Sequence, residues 1–140
     1  HGAYTCLVTG GFTLFSDRIA RMIGFDESRA NRLAVDPCGR LTGEVVAPIF
    51  GRAAKLATLI ELRRRQNVAD DETLVAGDGA NDIPMIEAAG LGVAYHAKPK
   101  VAAAAAARID HGDLTALLYA QGYRRDEFEP DDARRTTHDG

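Results

Sequence analysis

The chain has 140 residues, with 17 Lys and Arg residues against 20 Asp and Glu residues and a formal net charge of −3 at pH 7. This length is that of a single domain, and a hydrophobic content of 46% is too high for a disordered chain. The mild acidity argues against a general binder of nucleic acids or anionic membranes, and no apolar run reaches the roughly 18–20 residues of a membrane span.

The first third of the chain predicts a strand, a helix and a hairpin. Residues 4–8 are β-prone and predict a buried strand that ends in a tight loop at Thr9-Gly10-Gly11. Ser16 is the candidate N-cap of a following helix, which Gly24 would end. Residues 31–35 and 41–46 are two short strand candidates on either side of turn-forming residues, so we expect a β-hairpin insertion around residues 31–46.

The rest of the chain alternates helices with short apolar strands. The clearest helix is predicted at residues 52–66, with Leu56, Leu59, Ile60 and Leu62 on one side. Strands are predicted at 73–76, 91–95 and 108–109, and helices from Pro84, from Pro99 through residue 107, and at 114–121. This alternation predicts an α/β domain with a Rossmann-like parallel sheet and helices on both faces. In such sheets, ligands bind beyond the carboxyl ends of the strands.

The last segment of the chain differs in composition. From Arg124 onward it is charged and lacks apolar periodicity, which predicts a disordered tail at residues 124–140. Residues 1–123 are then the predicted domain, with neither an internal repeat nor a separating linker.

The most informative segment is Gly77-Asp78-Gly79-Ala80-Asn81-Asp82, which follows a predicted buried strand. Glycine allows a ligand to approach the backbone closely, and hard carboxylate oxygens are the ligands that Mg²⁺ requires. A turn in which Asp82 caps the next helix would explain a lone Gly-Asp-Gly, but neither a turn nor a cap requires all three polar residues. The segment therefore indicates a metal-binding loop.

Two further features are weaker indications of an anion-binding site. Thr9-Gly10-Gly11-Phe12 offers a hydroxyl and unhindered backbone N–H groups at a strand end, as a phosphate cradle requires, although a simple glycine turn is the commoner explanation. Lys55 lies near the start of its helix, where the helix dipole does not favour a cation. Most exposed lysines are merely solvated, so this position alone decides nothing.

Other polar residues favour structural interpretations. His96 has no His or Cys at metal-ligand spacing and is interpreted as a loop residue, and Asp113 as a helix N-cap. Cys6 is expected to be a small core residue, and Cys38 has no partner His that would indicate a nucleophile. Because two cysteines do not make a disulfide framework, we expect a cytoplasmic protein.

Together these motifs resemble the haloacid-dehalogenase superfamily of phosphotransferases, and within it the phosphoserine phosphatases of serine biosynthesis. The segment from Thr9 to Thr13 is similar to the SGGF motif of that family, Lys55 fits its conserved-lysine motif, and residues 77–82 match GDGAND letter for letter. Residues 91–100, LGVAYHAKPK, resemble the stretch that follows that motif. Broader relatives such as cation-pumping ATPases share only a GDGxND core. The last stretch therefore makes the resemblance specific to the phosphoserine phosphatases.

The resemblance implies Mg²⁺-dependent hydrolysis of O-phospho-L-serine through an aspartyl-phosphate. By position, Asp78 would bind Mg²⁺, and Asp82 would support the water shell of the metal or orient Lys55. Asn81 would bind the substrate phosphate or its surroundings.

The remaining implied roles concern phosphate. Thr9, Gly10 and Gly11 would hold the phosphate group, and Lys55 would balance its charge. All these groups would then converge on one edge of the sheet.

The sequence departs from the family pattern at three points. Thr9 stands where the family usually has serine, and Gly51 stands where many relatives have an aspartate four residues before the lysine. The nucleophile motif of the family, Asp-x-Asp-x-Thr/Val, occurs nowhere in the sequence. In the family, the nucleophile strand and the helical cap precede the segment found here. We therefore expect the C-terminal part of a catalytic domain, with an incomplete sheet and no activity on its own.

Several alternatives stay open. The substrate could be another small phosphomonoester, or the chain could be a non-catalytic module that binds Mg²⁺ and phosphate. A nucleic-acid binder has only the short runs at 63–65 and 124–125 in its favour, and the net charge opposes it. The expected partners are thus a small phosphomonoester and further copies of the chain, and neither nucleic acid nor a membrane.

Overall fold

The computed structural model describes residues 2–128 of the chain. Seven strands and five helices occur in this part. In chain order they are β1 (Cys6–Phe12), α1 (Thr13–Ile23), β2 (Glu27–Asn31), β3 (Leu33–Val35), β4 (Leu41–Val45), α2 (Arg52–Gln66), β5 (Leu74–Gly77), α3 (Ile83–Ala88), β6 (Leu91–Tyr95), α4 (Pro99–Ala104), β7 (Ala107–Ile109) and α5 (Ala116–Ala120).

The strands are arranged as two parallel sheets and a hairpin. β1 pairs in parallel with β2, and β6 lies between β5 and β7 in a three-stranded parallel sheet. β3 and β4 pair antiparallel. The predicted α/β class and the predicted hairpin are therefore confirmed, whereas the parallel strands within residues 2–128 are divided between two sheets. None of the helices in this part combines the length and hydropathy of a membrane span.

The three-stranded sheet and its helices, β5 to β7, form what we call the C-terminal unit. Its hydrophobic core is built where α3 packs on β5 and β6, with α4 and α2 beside it. Gly92 on β6 allows α3 to approach, because a Cβ there would lie 2.1 Å from the carbonyl oxygen of Ile86. The buried core side chains are Leu59, Val75, Ile83, Met85, Ile86, Ala94 and Val101.

The elements β1, α1 and β2 form what we call the N-terminal unit. Here α1 packs on both strands but buries only Ser16 and Ala20. The Ser28 hydroxyl of β2 donates a hydrogen bond of 2.7 Å to the Ser16 hydroxyl. The apolar side chains of α1 that remain exposed are Leu14, Phe15, Ile19, Met22 and Ile23.

Helix α2 joins the two units through two stripes of side chains. Lys55, Leu59 and Arg63, spaced four residues apart, contact the C-terminal unit. Glu61 and Arg65, also four apart, lie about 200° around the helix from Leu59 and Arg63 and face the N-terminal unit. A single helix therefore fixes both sheets.

The structure corrects several predictions in the N-terminal unit. The predicted loop at Thr9-Gly10-Gly11 lies within β1, which continues to Phe12. Ser16 is not an N-cap, because α1 already begins at Thr13 and Ser16 is buried inside it. The hairpin is shorter than predicted, since residue 31 belongs to β2, a strand that the sequence analysis did not predict.

Three predictions in the second half are also corrected. Helix α4 ends at Ala104 rather than at residue 107, because the chain is extended at Ala105 and then enters β7. Ile60, which was predicted on an apolar face, is 55% exposed. Asp113 is not the N-cap of α5, although its carboxylate accepts a hydrogen bond of 2.9 Å from the Thr115 N–H.

The predicted tail is described only at its start. Arg125–Glu127 forms a 3₁₀ turn, and the centroid of the Phe128 ring lies 5.1 Å from the centroid of the Tyr119 ring. The rest of the predicted tail, residues 129–140, lies outside the described residues.

Candidate active site

The aspartate loop follows β5 at the carboxyl end of the sheet, as predicted. Its conformation depends on Gly77, because a Cβ there would lie 2.7 Å from the Cβ of Asp82. The loop folds back on itself through Asp82, whose Oδ2 accepts a hydrogen bond of 3.0 Å from the Gly79 N–H. Pro84 then lies in the first turn of α3, where its missing N–H costs nothing. The Asp82 carboxylate therefore lies against the backbone of the same loop, at the Gly79 N–H.

Lys55 and Asp82 form a buried ion pair across the site. The Lys55 Nζ donates to Asp82 Oδ1 at 2.6 Å, and both side chains are less than one-tenth exposed. Since an unpaired charge in such a place would be strongly unfavourable, each group requires the other. The ion pair thus holds the lysine at the carboxyl end of β5. Because Lys55 and Asp82 are 27 residues apart in the sequence, no local pattern predicts their contact.

Asp78 and Asn81 have a different environment from Asp82. Both are exposed, and in the part of the chain that the structure describes their side chains form no hydrogen bond or ion pair. Both are therefore available to a ligand, whereas Asp82 is occupied by Lys55 and Gly79.

The donor set can be compared with what Mg²⁺ requires. Residues 2–128 contain no group of three His, Cys, Asp or Glu side chains that could hold a metal. Mg²⁺ needs only one or two carboxylates, with water and phosphate oxygens completing its shell. The exposed carboxylate of Asp78 fits as one such ligand.

The Thr9-Gly10-Gly11 segment is a bulge in β1. Val8 pairs with Arg29 and Phe12 pairs with Asn31, so four steps along β1 correspond to two along β2. Within the bulge, the Thr9 hydroxyl oxygen accepts a hydrogen bond of 3.1 Å from the Gly11 N–H, which leaves the hydroxyl proton to be donated. A Cβ on Gly10 would meet nothing within 4 Å, so the protein leaves open space beside this backbone.

Asn31 is a site residue that the sequence analysis missed. It is 7% exposed, and its Nδ2 donates to the carbonyl oxygens of Gly10 at 2.9 Å and Phe50 at 3.1 Å. Its Oδ1 accepts from the Phe50 N–H at 2.6 Å. No motif marks Asn31, since its importance comes from partners 21 and 19 residues away.

These contacts connect the predicted site residues in a series. Asn31 links the bulge to Phe50, which precedes the N-cap of α2 at Gly51, and α2 carries Lys55 to Asp82. Lys55 and Asp82 are thus in direct contact. The bulge reaches them only through Asn31 and α2, and no hydrogen bond within residues 2–128 joins its Thr9 hydroxyl to Lys55 or Asp82.

Charged groups outside the site stabilise this arrangement. Arg29 forms a two-bonded ion pair with Glu61 of α2, at 2.9 and 3.0 Å. Partial burial opposes the ionisation of Glu27, but hydrogen bonds from Tyr4, Arg65 and Arg29 outweigh it and lower the pKa of Glu27 to about 2. Strand β2 is therefore tied to α2 by charge.

The surroundings of His96 and the two cysteines fit the structural roles predicted for them. The Nε2 of His96 lies 2.8 Å from the carbonyl oxygen of Gly112, which holds the 110–113 loop against β6. Burial raises the pKa of the Cys6 thiol to about 11, so this cysteine is not a reactive thiolate. Cys38 is exposed on the hairpin turn.

The chain is similar to known proteins in both sequence and structure. Residues 1–87 match the family model for haloacid dehalogenase-like hydrolases. The chain is 40% identical over 122 residues to a phosphoserine phosphatase of Saccharomyces cerevisiae and 41% identical over 126 residues to one of Streptomyces coelicolor. A solved haloacid dehalogenase family hydrolase from Salmonella enterica serovar Typhi superposes with a TM-score of 0.77 at 34% identity, over 83% of this chain.

The matches cover most of this chain but less than half of each relative. The yeast alignment takes in 87% of the chain and 40% of the relative, and the Streptomyces alignment takes in 90% and 30%. The Salmonella structure is covered over 40% of its length. The relatives thus contain long segments that have no counterpart in these 140 residues.

Proposed function

Since the chain belongs to the haloacid dehalogenase-like hydrolase family, we propose that it is the phosphate- and metal-binding part of a phosphomonoesterase that converts O-phospho-L-serine to serine and phosphate. The observation that carries this proposal is the buried Lys55–Asp82 pair beside the exposed Asp78. A cation, a metal-binding carboxylate and a glycine-rich bulge are the groups that phosphoryl transfer needs.

The proposed phosphate contacts come from both units. The Thr9 hydroxyl and the Gly10 backbone bind phosphate oxygens, and Gly11 contributes by orienting the Thr9 hydroxyl through its N–H. The Asn81 amide binds the phosphate or its surroundings. Lys55 balances the negative charge that the phosphate brings, and Asp82 keeps the ammonium group in one orientation. Because Asp82 holds Lys55 before substrate arrives, no reorganisation of the lysine is needed at the time of reaction.

Asp78 is the proposed ligand of Mg²⁺ in this chain. When bound, Mg²⁺ neutralises charge on the phosphate oxygens and thereby lowers the barrier to transfer. The exposure of Asp78 and its lack of a partner within the described residues support this assignment.

The attacking group is proposed to lie outside this sequence, which contains no Asp-x-Asp. An aspartate oxygen forms a bond to phosphorus while the bond to the serine oxygen breaks, and the serine oxygen takes up a proton. Water then attacks phosphorus, which releases phosphate and restores the carboxylate. The residues of this chain hold the phosphate through both steps.

The remaining parts of the proposal concern surroundings and partners. We place the enzyme in the cytoplasm, in serine biosynthesis, with a small phosphomonoester as substrate. A further copy of the chain is the candidate protein partner. The domain assignment of residues 1–123, with a tail from 124, is retained as part of this proposal.

Phosphate release tests the proposal. We define the extended protein as these 140 residues together with any coding sequence that precedes them in frame. The extended protein should release phosphate from O-phospho-L-serine with Mg²⁺ and lose this activity in EDTA, whereas the chain alone should release none. Asp78→Asn should abolish release, while Asp71→Asn, at the opposite end of β5, should leave it unchanged.

The same assay separates the alternatives. A higher kcat/KM for another phosphomonoester would assign the site to a related phosphatase. An extended protein that contains no Asp-x-Asp and releases no phosphate would contradict the proposal. That result would favour the second candidate, a non-catalytic module, for which the missing motif is the supporting observation.

A further inference from the structure

We propose that Asn31 is a positioning residue, which sets the phosphate-binding bulge of β1 against the start of the lysine helix. The inference rests on the proposed function and adds to it a residue that no motif identifies.

The bulge interrupts the pairing of β1 with β2. Because Val8 to Phe12 spans four steps opposite only two steps on β2, residues in the bulge fall outside the regular ladder. A carbonyl that leaves the ladder needs another donor if it is to stay fixed. The Asn31 Nδ2 supplies that donor to the carbonyl oxygen of Gly10.

The same amide holds a second segment. Through three hydrogen bonds, Asn31 contacts Gly10 once and Phe50 twice, and thereby uses both N–H groups and the carbonyl oxygen of its side chain. Phe50 directly precedes Gly51, the N-cap of α2, and the Lys55 N–H donates to the Gly51 carbonyl oxygen at 3.0 Å. Asn31 therefore fixes the bulge and the first turn of α2 relative to each other.

This arrangement matters because the proposed phosphate contacts come from separate elements. Thr9 and Gly10 lie on β1, whereas Lys55 lies on α2. A displacement of about 1 Å between groups that contact one substrate can lower the rate about a hundredfold. A buried amide with three hydrogen bonds to two separate segments is suited to prevent such a displacement.

The test compares three variants of the extended protein. Asn31→Ala removes all three hydrogen bonds, and Asn31→Asp keeps the acceptor for Phe50 but removes the donors to Gly10 and Phe50. Ser28→Ala is the matched control, since it removes a hydrogen bond of 2.7 Å from the same strand without touching the bulge. The readouts are kcat and KM for O-phospho-L-serine and the inhibition constant of inorganic phosphate.

We expect both Asn31 variants to lower kcat/KM by about 10- to 100-fold and to raise KM and the phosphate inhibition constant together. Ser28→Ala should leave KM and the inhibition constant within about twofold of the wild type. A loss of folded protein alone lowers the apparent kcat but leaves KM and the inhibition constant unchanged, so these constants separate positioning from stability.

The outcomes distinguish this inference from the proposed function. If the wild type releases phosphate and the Asn31 variants keep its KM and inhibition constant, the positioning role is wrong and the phosphatase assignment stands. An Asn31→Asp variant that behaves like the wild type would contradict the role of the Gly10 contact in particular. If the wild type hydrolyses no phosphomonoester, the proposed function is wrong, and the inference is overturned with it.

Discussion

The N-terminal and C-terminal units are built from similar elements but held by different forces. In the C-terminal unit, α3 and α4 bury Ile86 and Val101 against the sheet, and Val93 of β6 is fully buried. In the N-terminal unit, α1 leaves Phe15 and Met22 about two-thirds exposed. That unit is instead attached through hydrogen bonds and ion pairs, so its stability should depend on polar contacts and on pH.

The candidate site contains residues from both units. The aspartate loop rests on the hydrophobic core, and the glycine bulge rests on the polar contacts of β2. Helix α2 contacts both units, through Glu61 towards the N-terminal unit and through Lys55 towards the C-terminal unit. Changes in the C-terminal unit should therefore affect the site through the hydrophobic core beneath the aspartate loop. Changes in the N-terminal unit should affect it through the polar contacts of the bulge.

The largest effect is expected from breaking the buried ion pair. Asp82→Asn leaves the Lys55 ammonium buried without a counter-charge and should lower the free energy of unfolding by about 3–5 kcal/mol. Chemical denaturation measures this loss. Adding Lys55→Met should recover part of it, because the uncompensated charge is then gone. Additive losses in the double variant would show that the two groups do not interact.

The two methionines of the chain compare the units directly. Met85 is 7% exposed in the core and Met22 is 69% exposed on α1. Met85→Ala should destabilise the protein by about 2–5 kcal/mol, whereas Met22→Ala should change stability by less than about 0.5 kcal/mol. Equal losses in thermal or chemical denaturation would mean that α1 is covered in the folded protein and that the contrast between the units is wrong.

Acid should weaken the N-terminal unit through Glu27. The pKa of this carboxyl is about 2 in the folded protein against an ordinary value of 4.5, so the unfolded chain binds its proton first as the pH falls. The stabilisation is complete above the ordinary pKa and is lost as the pH falls from about 5 towards 2. Glu27→Gln should therefore be less stable at pH 7 and should lose less stability over this range. An unchanged acid dependence in urea denaturation would contradict the role of Glu27.

The smallest effect is expected at the start of α2. Gly51 is the N-cap, forms no side-chain cap, and has open space where a Cβ would lie. Gly51→Ser supplies an oxygen to the first N–H groups and should raise the free energy of unfolding by a few tenths of a kcal/mol. Gly51→Ala, which lacks the oxygen, is the control. A gain of the same size in both variants would assign the effect to the backbone rather than to capping.

The sequence predicted the C-terminal unit more fully than the N-terminal unit. Strand β6 and helix α2 have the predicted bounds, and Asp78 and Gly79 directly follow the end of β5 at Gly77. These features have local signals: an apolar run, helical composition and a glycine-rich motif. The pairing of Lys55 with Asp82 was one of two roles that the family resemblance implied for Asp82, and the structure contains it.

Strand β2 and Asn31 had no such signal. The residues of β2, ESRAN, are polar at four of five positions, so no apolar alternation marks a strand. They are polar because their side chains bind Ser16, Glu61 and Gly10, which lie on other elements. A local pattern therefore could not predict a strand whose stability comes from distant polar partners.

The most direct test of the proposed site is whether one phosphate contacts both units. Inorganic phosphate can be titrated, with Mg²⁺ present, into the ¹⁵N-labelled extended protein while the amide signals are followed by NMR. We expect the amides of Gly10 and Gly11 and those of Asp78 and Asn81 to shift together, with one Kd. Shifts in only one of these pairs, or two different Kd values, would contradict a single site built from both units.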